Sequence, residues 1–184
     1  EASGQAENTV VVFCADHGEM LGERGMWFKQ SFFEWSARVP LTVSAPARYA
    51  PRRVSECVSL VDLLPTLVGI GGGEVKLPCD GESLEAALDG RPTRDLVICD
   101  YSGIGPCVPT RMVRQGRYKL MYTHGHPDLL FDLETDPNEL HNLAEDSTHA
   151  ATLKRLKFIL MDGWDPEEID RIIRQGQAER LFLK

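Results

Sequence analysis

The amino-acid sequence predicts an α/β protein, with part of a mostly parallel sheet covered by helices, then a small antiparallel α+β subdomain and a C-terminal helix. Three observations predict this fold class. Residues 10–13, VVVF, form an unbroken β-branched and aromatic run, which suits a strand covered on both faces. Short strand-like runs separated by turn residues follow residue 95. The last twenty residues carry isoleucines at helical spacing.

The composition is that of a soluble globular protein. The chain has 184 residues, 42% of them hydrophobic and 26% charged, which is enough for one domain, or for one domain and a small satellite. The net charge of −8 argues against nucleic acid or an anionic membrane as a partner. No apolar run approaches the length of a bilayer span. Because the chain begins with Glu1, the lack of a signal peptide decides little.

The cysteines give a first indication of the cellular compartment. There are five, which is an odd number, and they are scattered without a C-x-x-C pair. This pattern is typical of free thiols in a reducing compartment and does not match the spacing of zinc ligands. We therefore expect a cytoplasmic protein, with a periplasmic or secreted location as the alternative.

The candidate functional site follows the first predicted strand. That strand ends in Asp16-His17-Gly18, so that a carboxylate and an imidazole lie just past its carboxyl end, where open α/β sheets bind their ligands. The glycine leaves room for a sharp turn, and the loop then leads to Lys29. A second apolar run, residues 39–43, predicts the next strand.

These residue types can bind a cation together with an anion. Asp16 offers an oxygen ligand and His17 a nitrogen ligand to a divalent metal, while Lys29 offers a positive charge to a bound anion. A metal beside a lysine is a common way to hold a phosphate or sulfate ester while charge develops on its oxygens. In the alternative interpretation Asp16 caps a turn, and His17 and Lys29 are solvated surface residues. The spacing alone leaves both interpretations open.

Two helices are predicted in the first half. Residues 59–68 are apolar at helical spacing and are followed by Gly69. Pro65 falls in the first turn if the helix begins near Asp62, which we expect to be a cap and not a catalytic residue. Residues 80–90 predict a short helix between turns.

The second half predicts an antiparallel subdomain and a terminal helix. The predicted strands are residues 95–101, 110–115, 118–123 and 129–133, with a tight turn at 115–117 and a helix at 147–161. The last helix has Asp165 as its cap and Pro166 at its first position, with Ile169, Ile172 and Ile173 on one face. The pair His124 and His126 lies on a predicted turn and is expected to be a surface feature.

Several long stretches resemble one family. The segment FCADHGEMLGERGMWFKQSFFEWSARVPL resembles the second metal-binding segment of the sulfatases of the alkaline-phosphatase superfamily, and most of all that of bacterial choline-sulfatases. VSLVDLLPTLVGIGG is similar to a sulfatase helix that packs on the main sheet. GRYKLMYTHGHPDLLFDLETDPNELHNLAED resembles the closing part of these enzymes.

The resemblance implies a role for each residue of the candidate site. It implies that Asp16 and His17 bind the active-site divalent cation, with Ca²⁺ as the first candidate and Mn²⁺ or Mg²⁺ as alternatives. It implies that Lys29 is catalytic and substrate-binding, and that it contacts the sulfate group or the leaving oxygen. The implied substrate is a small-molecule sulfate ester.

The resemblance also implies a division of the chain. Residues 1–94 correspond to the C-terminal part of the catalytic domain, residues 95–163 to the antiparallel subdomain with its helix, and residues 164–184 to a tail that makes subunit contacts. We therefore expect a homo-oligomer. The nucleophile of such enzymes is a formylglycine from a C-x-P-[SA]-x-R motif in their first half, which implies that this chain is part of a longer enzyme and is inactive by itself.

Two positions of the second half bear on the nucleophile and on the substrate. Cys107-Val108-Pro109-Thr110-Arg111 matches C-x-P-x-R, but it leads into a predicted hairpin strand, so we expect Cys107 to have no catalytic role. Choline-sulfatases tend to have E-Y-x-x-E-G where this chain has Asp100 at the first acidic place and Ile104 at the second. The resemblance implies a substrate contact for Asp100, and the departure at Ile104 leaves the choline group open.

The expected function is metal-dependent hydrolysis of a sulfate ester by the full-length enzyme, with choline-O-sulfate as the first candidate. A phosphonate or phosphate monoester hydrolase of the same superfamily is the alternative enzyme. A non-catalytic remnant that only mediates assembly is the alternative from another class.

Overall fold

The structure is a computed structural model that describes residues 3–102 and 108–182. The chain divides into two compact units. The first contains the described residues up to Lys29, together with Trp35–Leu96. The second contains Gln30–Glu34 and the described residues from Val97 onward.

The first unit is organised around a pair of strands. β1 (Val11–Cys14) lies antiparallel to a later strand, Leu41–Ser44, with Val12 opposite Val43. Between them along the chain come β2 (Met20–Leu21), which pairs with β3 (Trp27–Phe28) in a short hairpin, and the single-turn helix α1 (Glu34–Ala37). We number the strand Leu41–Ser44 as β4.

The strand predicted from the VVVF run is confirmed, but the parallel neighbours are not found in the part of the chain that the structure describes. There, β1 pairs only with β4, in the antiparallel sense, and Val11 and Phe13 are exposed. The reason is that an unbroken apolar run indicates that both faces can be buried, but it does not fix the direction of the partner strand or what covers the faces.

The predicted helices of the first unit are confirmed. A 3₁₀ turn (Leu60–Asp62) leads into α2 (Leu63–Ile70), and α3 (Glu85–Leu88) follows. Ser59 is the cap of this turn, and Asp62 is its partner three residues later in a capping box, because the Asp62 carboxylate accepts a hydrogen bond from the Ser59 backbone N–H at 2.7 Å. The Asp62 carboxylate is buried, and it also accepts a hydrogen bond from Arg94 at 2.9 Å, which compensates its charge.

The second unit contains a four-stranded sheet within the described residues. Its strands are β5 (Leu96–Tyr101), β6 (Thr110–Gln115), β7 (Tyr118–Thr123) and β8 (Leu129–Asp132), hydrogen-bonded in that order. β7 is antiparallel to both of its neighbours, β6 and β8, as the hairpin pattern predicted. The turn between β6 and β7 uses Gly116 with φ of +56°, a conformation that glycine adopts without strain.

Side chains from several elements form the core of the second unit. Met112, Met121 and Phe131 are buried together, and Phe32 and Phe33 pack against them. A 3₁₀ turn (Ser147–His149) leads into α4 (Ala150–Met161), which contacts β6 and β7 and buries two leucines, Leu156 and Leu160. The predicted helix over residues 147–161 is therefore confirmed.

The last helix, α5 (Pro166–Phe182), begins as predicted. Asp165 caps it by accepting hydrogen bonds from the backbone N–H groups of Glu167 and Glu168, at 3.0 and 3.3 Å. None of residues 166–181 is buried in this structure. No helix in the described ranges combines the length and the apolar character that crossing a membrane requires.

Candidate active site

The predicted site begins where β1 ends. Asp16 and His17 come one residue beyond the end of the strand, and the next two backbone N–H groups hold the turn in place. Gly18 donates to the carbonyl of Ser36 and Glu19 to the carbonyl of Trp35, both at 2.8 Å. A Cβ at position 18 would lie 2.0 Å from the Trp35 carbonyl oxygen, so that only glycine fits this close approach.

The ring of His17 has a defined orientation. Its Nδ1 lies 2.7 Å from the carbonyl oxygen of Gly18. Because a carbonyl can only accept, this contact assigns a proton to Nδ1, so that in the neutral ring the lone pair is on Nε2. Nε2 in turn lies 3.2 Å from Oδ2 of Asp16. A histidine held through one nitrogen by a backbone carbonyl is typical of metal ligands that bind through the other.

The third predicted residue lies next to these two. Lys29 follows β3, and its Nζ lies 2.7 Å from Nε2 of His17. The carbonyl of Lys29 accepts a hydrogen bond from Oγ of Ser36. The structure thus brings Asp16, His17 and Lys29 together at one point of the first unit.

The two donor atoms fit one divalent cation. Protein ligands bind such cations at about 2.0–2.6 Å, so two ligands of one ion lie about 3 Å apart. The separation of Asp16 Oδ2 from His17 Nε2 agrees with this. Within residues 3–102 and 108–182, no cluster of three or more histidine, cysteine, aspartate or glutamate side chains could hold a metal. The described residues therefore fit part of a coordination shell.

Asp100 lies in the second unit, near the end of β5. Its carboxylate is 3.0 Å from Nε of Arg111, and its side chain is 51% exposed. Partial burial raises the pKa of Asp100 above its ordinary value, and the Arg111 guanidinium opposes this shift. The same guanidinium donates to the carbonyl of Leu160 at 2.9 Å and lies 5.3 Å from the centre of the Trp164 ring.

The family model described as "N-sulphoglucosamine sulphohydrolase, C-terminal" matches residues 22–165. This chain belongs to the sulfatases. The choline-sulfatase of Rhizobium meliloti (strain 1021) is 40% identical to it over 96% of this chain and 36% of that protein. The chain therefore spans about a third of the length of this relative.

Solved structures agree with the predicted fold of this sulfatase chain. A 2-O GAG sulfatase superposes with a TM-score of 0.75 and 29% identity, over 97% of this chain and 39% of that one. The phosphonate monoester hydrolase of Agrobacterium radiobacter superposes with a TM-score of 0.70 and 30% identity, over 83% and 34%. These likenesses confirm the α/β fold of the alkaline-phosphatase type.

Two side chains beside the predicted site residues could not be recognised from the sequence, and two positions that the sequence did single out lie outside the residues that the structure describes. Ser36 is hydrogen-bonded to the backbone at both ends of the loop that carries the site, but a single serine after a tryptophan is no recognisable sequence signal. In the sequence Arg111 stands out only as the last residue of the C-x-P-x-R match, whereas the structure places it in β6 beside Asp100. Cys107 and Ile104 lie outside the described residues.

Proposed function

We propose that this chain is the C-terminal part of a metal-dependent sulfuric ester hydrolase, and that the full-length enzyme hydrolyses a small-molecule sulfate ester. The observation that carries the proposal is the convergence of a carboxylate, an imidazole lone pair and an ammonium: Asp16 Oδ2 and Lys29 Nζ lie 3.2 and 2.7 Å from His17 Nε2. Such a set can bind a cation and a sulfate oxygen side by side.

In this proposal, Asp16 and His17 bind a divalent cation, with Ca²⁺ as the first candidate and Mn²⁺ or Mg²⁺ as alternatives. The bound cation would supply Lewis-acid polarisation of the ester. The chain's own residues prepare the site. The Gly18 carbonyl holds the Nδ1 proton, so that the lone pair of Nε2 faces the Asp16 carboxylate. Lys29 neutralises negative charge on a sulfate oxygen or on the leaving oxygen.

The nucleophile is proposed to be a formylglycine in a part of the enzyme that precedes this sequence. The length of the choline-sulfatase relative, of which this chain covers 36%, supports a longer enzyme. Accordingly, we expect the 184-residue chain alone to be inactive.

Choline-O-sulfate is the first candidate substrate, because the relative with 40% identity is a choline-sulfatase. Asp100 is the proposed contact for a cationic substrate group, since its half-exposed carboxylate can attract a quaternary ammonium. Its pairing with Arg111 weakens that attraction, because the guanidinium already neutralises the carboxylate.

The proposed setting is cytoplasmic, with a periplasmic or secreted location as the alternative, and the proposed assembly is a homo-oligomer formed through residues 164–184. The charge of −8 argues against nucleic acid or an anionic membrane as a partner.

A phosphonate or phosphate monoester hydrolase is the second candidate. The Agrobacterium radiobacter enzyme, 30% identical with a TM-score of 0.70, supports it. An assembly remnant without activity is the third. Turnover of aryl sulfate, choline sulfate and aryl phosphonate esters by the full-length enzyme separates the three, because the remnant would hydrolyse none of them.

The test of the metal assignment is Asp16→Ala in the full-length enzyme. We expect metal-dependent turnover to be abolished and Ca²⁺ binding, measured by calorimetry, to be lost, while the far-UV circular dichroism stays unchanged. Asp80→Ala removes another exposed carboxylate and should change neither quantity. Normal turnover by the Asp16→Ala enzyme would end the metal assignment.

A further inference from the structure

We propose that Ser36 is a positioning residue that holds Lys29 beside His17 through a closed ring of hydrogen bonds. The inference rests on the proposed function for what the ring achieves, although the ring itself is a feature of the first unit alone. Ser36 is 2% exposed and belongs to α1.

The ring has four members and can be followed from one residue to the next. His17 donates from Nδ1 to the carbonyl of Gly18, at 2.7 Å. The N–H of Gly18 donates to the carbonyl of Ser36, at 2.8 Å. Oγ of Ser36 donates to the carbonyl of Lys29. Nζ of Lys29 then lies 2.7 Å from Nε2 of His17, which closes the ring.

Ser36 has a special place in this ring because it joins the two arms of the loop. Its backbone carbonyl holds the arm that carries His17, and its hydroxyl holds the arm that carries Lys29. A buried hydroxyl has few alternative partners, so this bond has a fixed direction. Replacing Ser36 by alanine would remove only the second connection.

The backbone before Lys29 supports this role independently. Phe28 has φ of +71°, a left-handed conformation that is unfavourable for an aromatic residue. Such conformations persist only where the surrounding structure holds them. Oγ of Ser36 binds the carbonyl of the residue that follows, and Phe28 itself is exposed. We infer that the hydroxyl helps to hold this conformation and, through it, the course of the Lys29 backbone.

The consequence for Lys29 is geometric. A lysine side chain has many rotamers, and Lys29 is exposed, so its ammonium is placed only as well as its backbone is. Because Nε2 cannot bind the proposed cation and accept from Nζ at the same time, what Ser36 fixes in the working enzyme is the Lys29 backbone. Loss of the hydroxyl should therefore let that backbone, and Nζ with it, move from its place beside the site. Because a misplaced group costs catalysis more than binding, we expect kcat to fall about tenfold with little change in KM. Ca²⁺ affinity should stay within about twofold, because neither Asp16 nor His17 is bound by Oγ.

The experiment compares Ser36→Ala in two backgrounds of the full-length enzyme. If Ser36 acts through Lys29, Ser36→Ala lowers kcat about tenfold in the wild type and has no further effect in Lys29→Ala. Thr66→Val is the matched control. Thr66 is in the same unit, and its buried hydroxyl makes two hydrogen bonds to the main chain. Its removal should leave kcat of the folded enzyme unchanged.

A second measurement does not need turnover. In protein labelled with ¹⁵N-lysine, relaxation of the Lys29 ammonium should report more motion in Ser36→Ala and no change in Thr66→Val. An equal loss of kcat in both backgrounds, or an unchanged Lys29 signal, would overturn the role of Ser36. If the wild type hydrolyses no ester at all, the proposed function fails, and the relaxation measurement still decides this inference.

Discussion

Lys29 is the site residue whose proposed role can be tested most directly by substitution. It lies at the surface of the first unit, and its ammonium approaches the imidazole nitrogen that faces Asp16. An ammonium at this place can neutralise developing negative charge only if the reacting group is an anion that is bound next to the proposed metal ion. The role of Lys29 is therefore linked to that of Asp16 and His17.

We predict that Lys29→Ala lowers turnover by the full-length enzyme about a hundredfold or more, because an electrostatic contact to the transition state is lost. Lys29→Arg should restore little, since a planar guanidinium does not replace a compact ammonium. Steady-state kinetics with the best ester substrate provide the measurement. Lys76→Ala, at another exposed lysine, serves as the control. A near-normal rate for Lys29→Ala would mean that this side chain is only a surface group.

The sequence indicated three residues of the site but not the serine that connects them. Asp16 and His17 could be predicted because they come just after a strand, and Lys29 because the same loop leads to it; the resemblance then implied a role for each. Their convergence is observed, and their roles stay predictions. Ser36 could not be predicted, because its importance comes from the closure of a ring between two loop arms, and no local pattern encodes that closure.

Among the elements, β7 contains an unusual buried charge. Nζ of Lys119 lies 2.8 Å from Oε1 of Glu34 and 2.7 Å from Oε1 of Glu139, and the lysine is 0% exposed. Arg114 binds the other oxygen of Glu34 at 3.1 Å, so that two cations face two anions. Glu139 has φ of +56°, and its carboxylate also accepts the backbone N–H of Glu34 at 2.7 Å. This network links β6 and β7 to the segment Gln30–Glu34.

We predict that Lys119→Met destabilises the protein by about 3–5 kcal/mol, because removing one partner leaves buried carboxylates uncompensated. Urea unfolding of the chain followed by circular dichroism measures this. The control is Lys154→Met on the exposed side of α4, which should change stability by less than about 0.5 kcal/mol. Adding Glu139→Gln to Lys119→Met should recover part of the loss. A Lys119→Met protein as stable as the wild type would show that the network contributes nothing.

The strands themselves were predictable, whereas this network was not. The runs that became β6 and β7 flank a Gln-Gly-Arg turn, and both predicted ranges match the observed strands. A lysine within a strand normally points to solvent, so nothing in the sequence indicated that Lys119 would be buried. The direction of β1 relative to its neighbour also depends on pairing between distant segments, which an apolar run does not specify.

For the molecule as a whole, the fold class was predictable because several motifs spread over the chain resembled one family. The family match over residues 22–165 confirms that inference. Assembly is a different question, because it depends on which surfaces remain uncovered. α5 is such a surface, since it extends over 17 residues and Ile172 is 54% exposed, with Ile169 and Ile173 half-buried.

The isoleucine face of α5 carries our last prediction. Exposed apolar side chains cost about 1.5–3 kcal/mol each relative to burial, so a subunit contact is a favourable place for them. Trp164 packs edge-on against Tyr122, with ring centres 5.7 Å apart, so a deletion that begins at Trp164 would also disturb the second unit. The sharper change is therefore Ile172→Glu, which alters the face of α5 and leaves Trp164 in place.

We expect Ile172→Glu in the full-length enzyme to convert an oligomer into smaller species, because a carboxylate cannot be buried unpaired in an apolar contact. Sedimentation velocity measures the mass, and calorimetry with Ca²⁺ should show that the metal site still forms. Ala178→Glu is the matched control, since Ala178 lies on the opposite side of the same helix and is exposed. An unchanged mass for Ile172→Glu would mean that the isoleucine face makes no subunit contact. An equal change in both variants would mean that the loss of mass does not come from that face, because only a contact through it distinguishes the two positions.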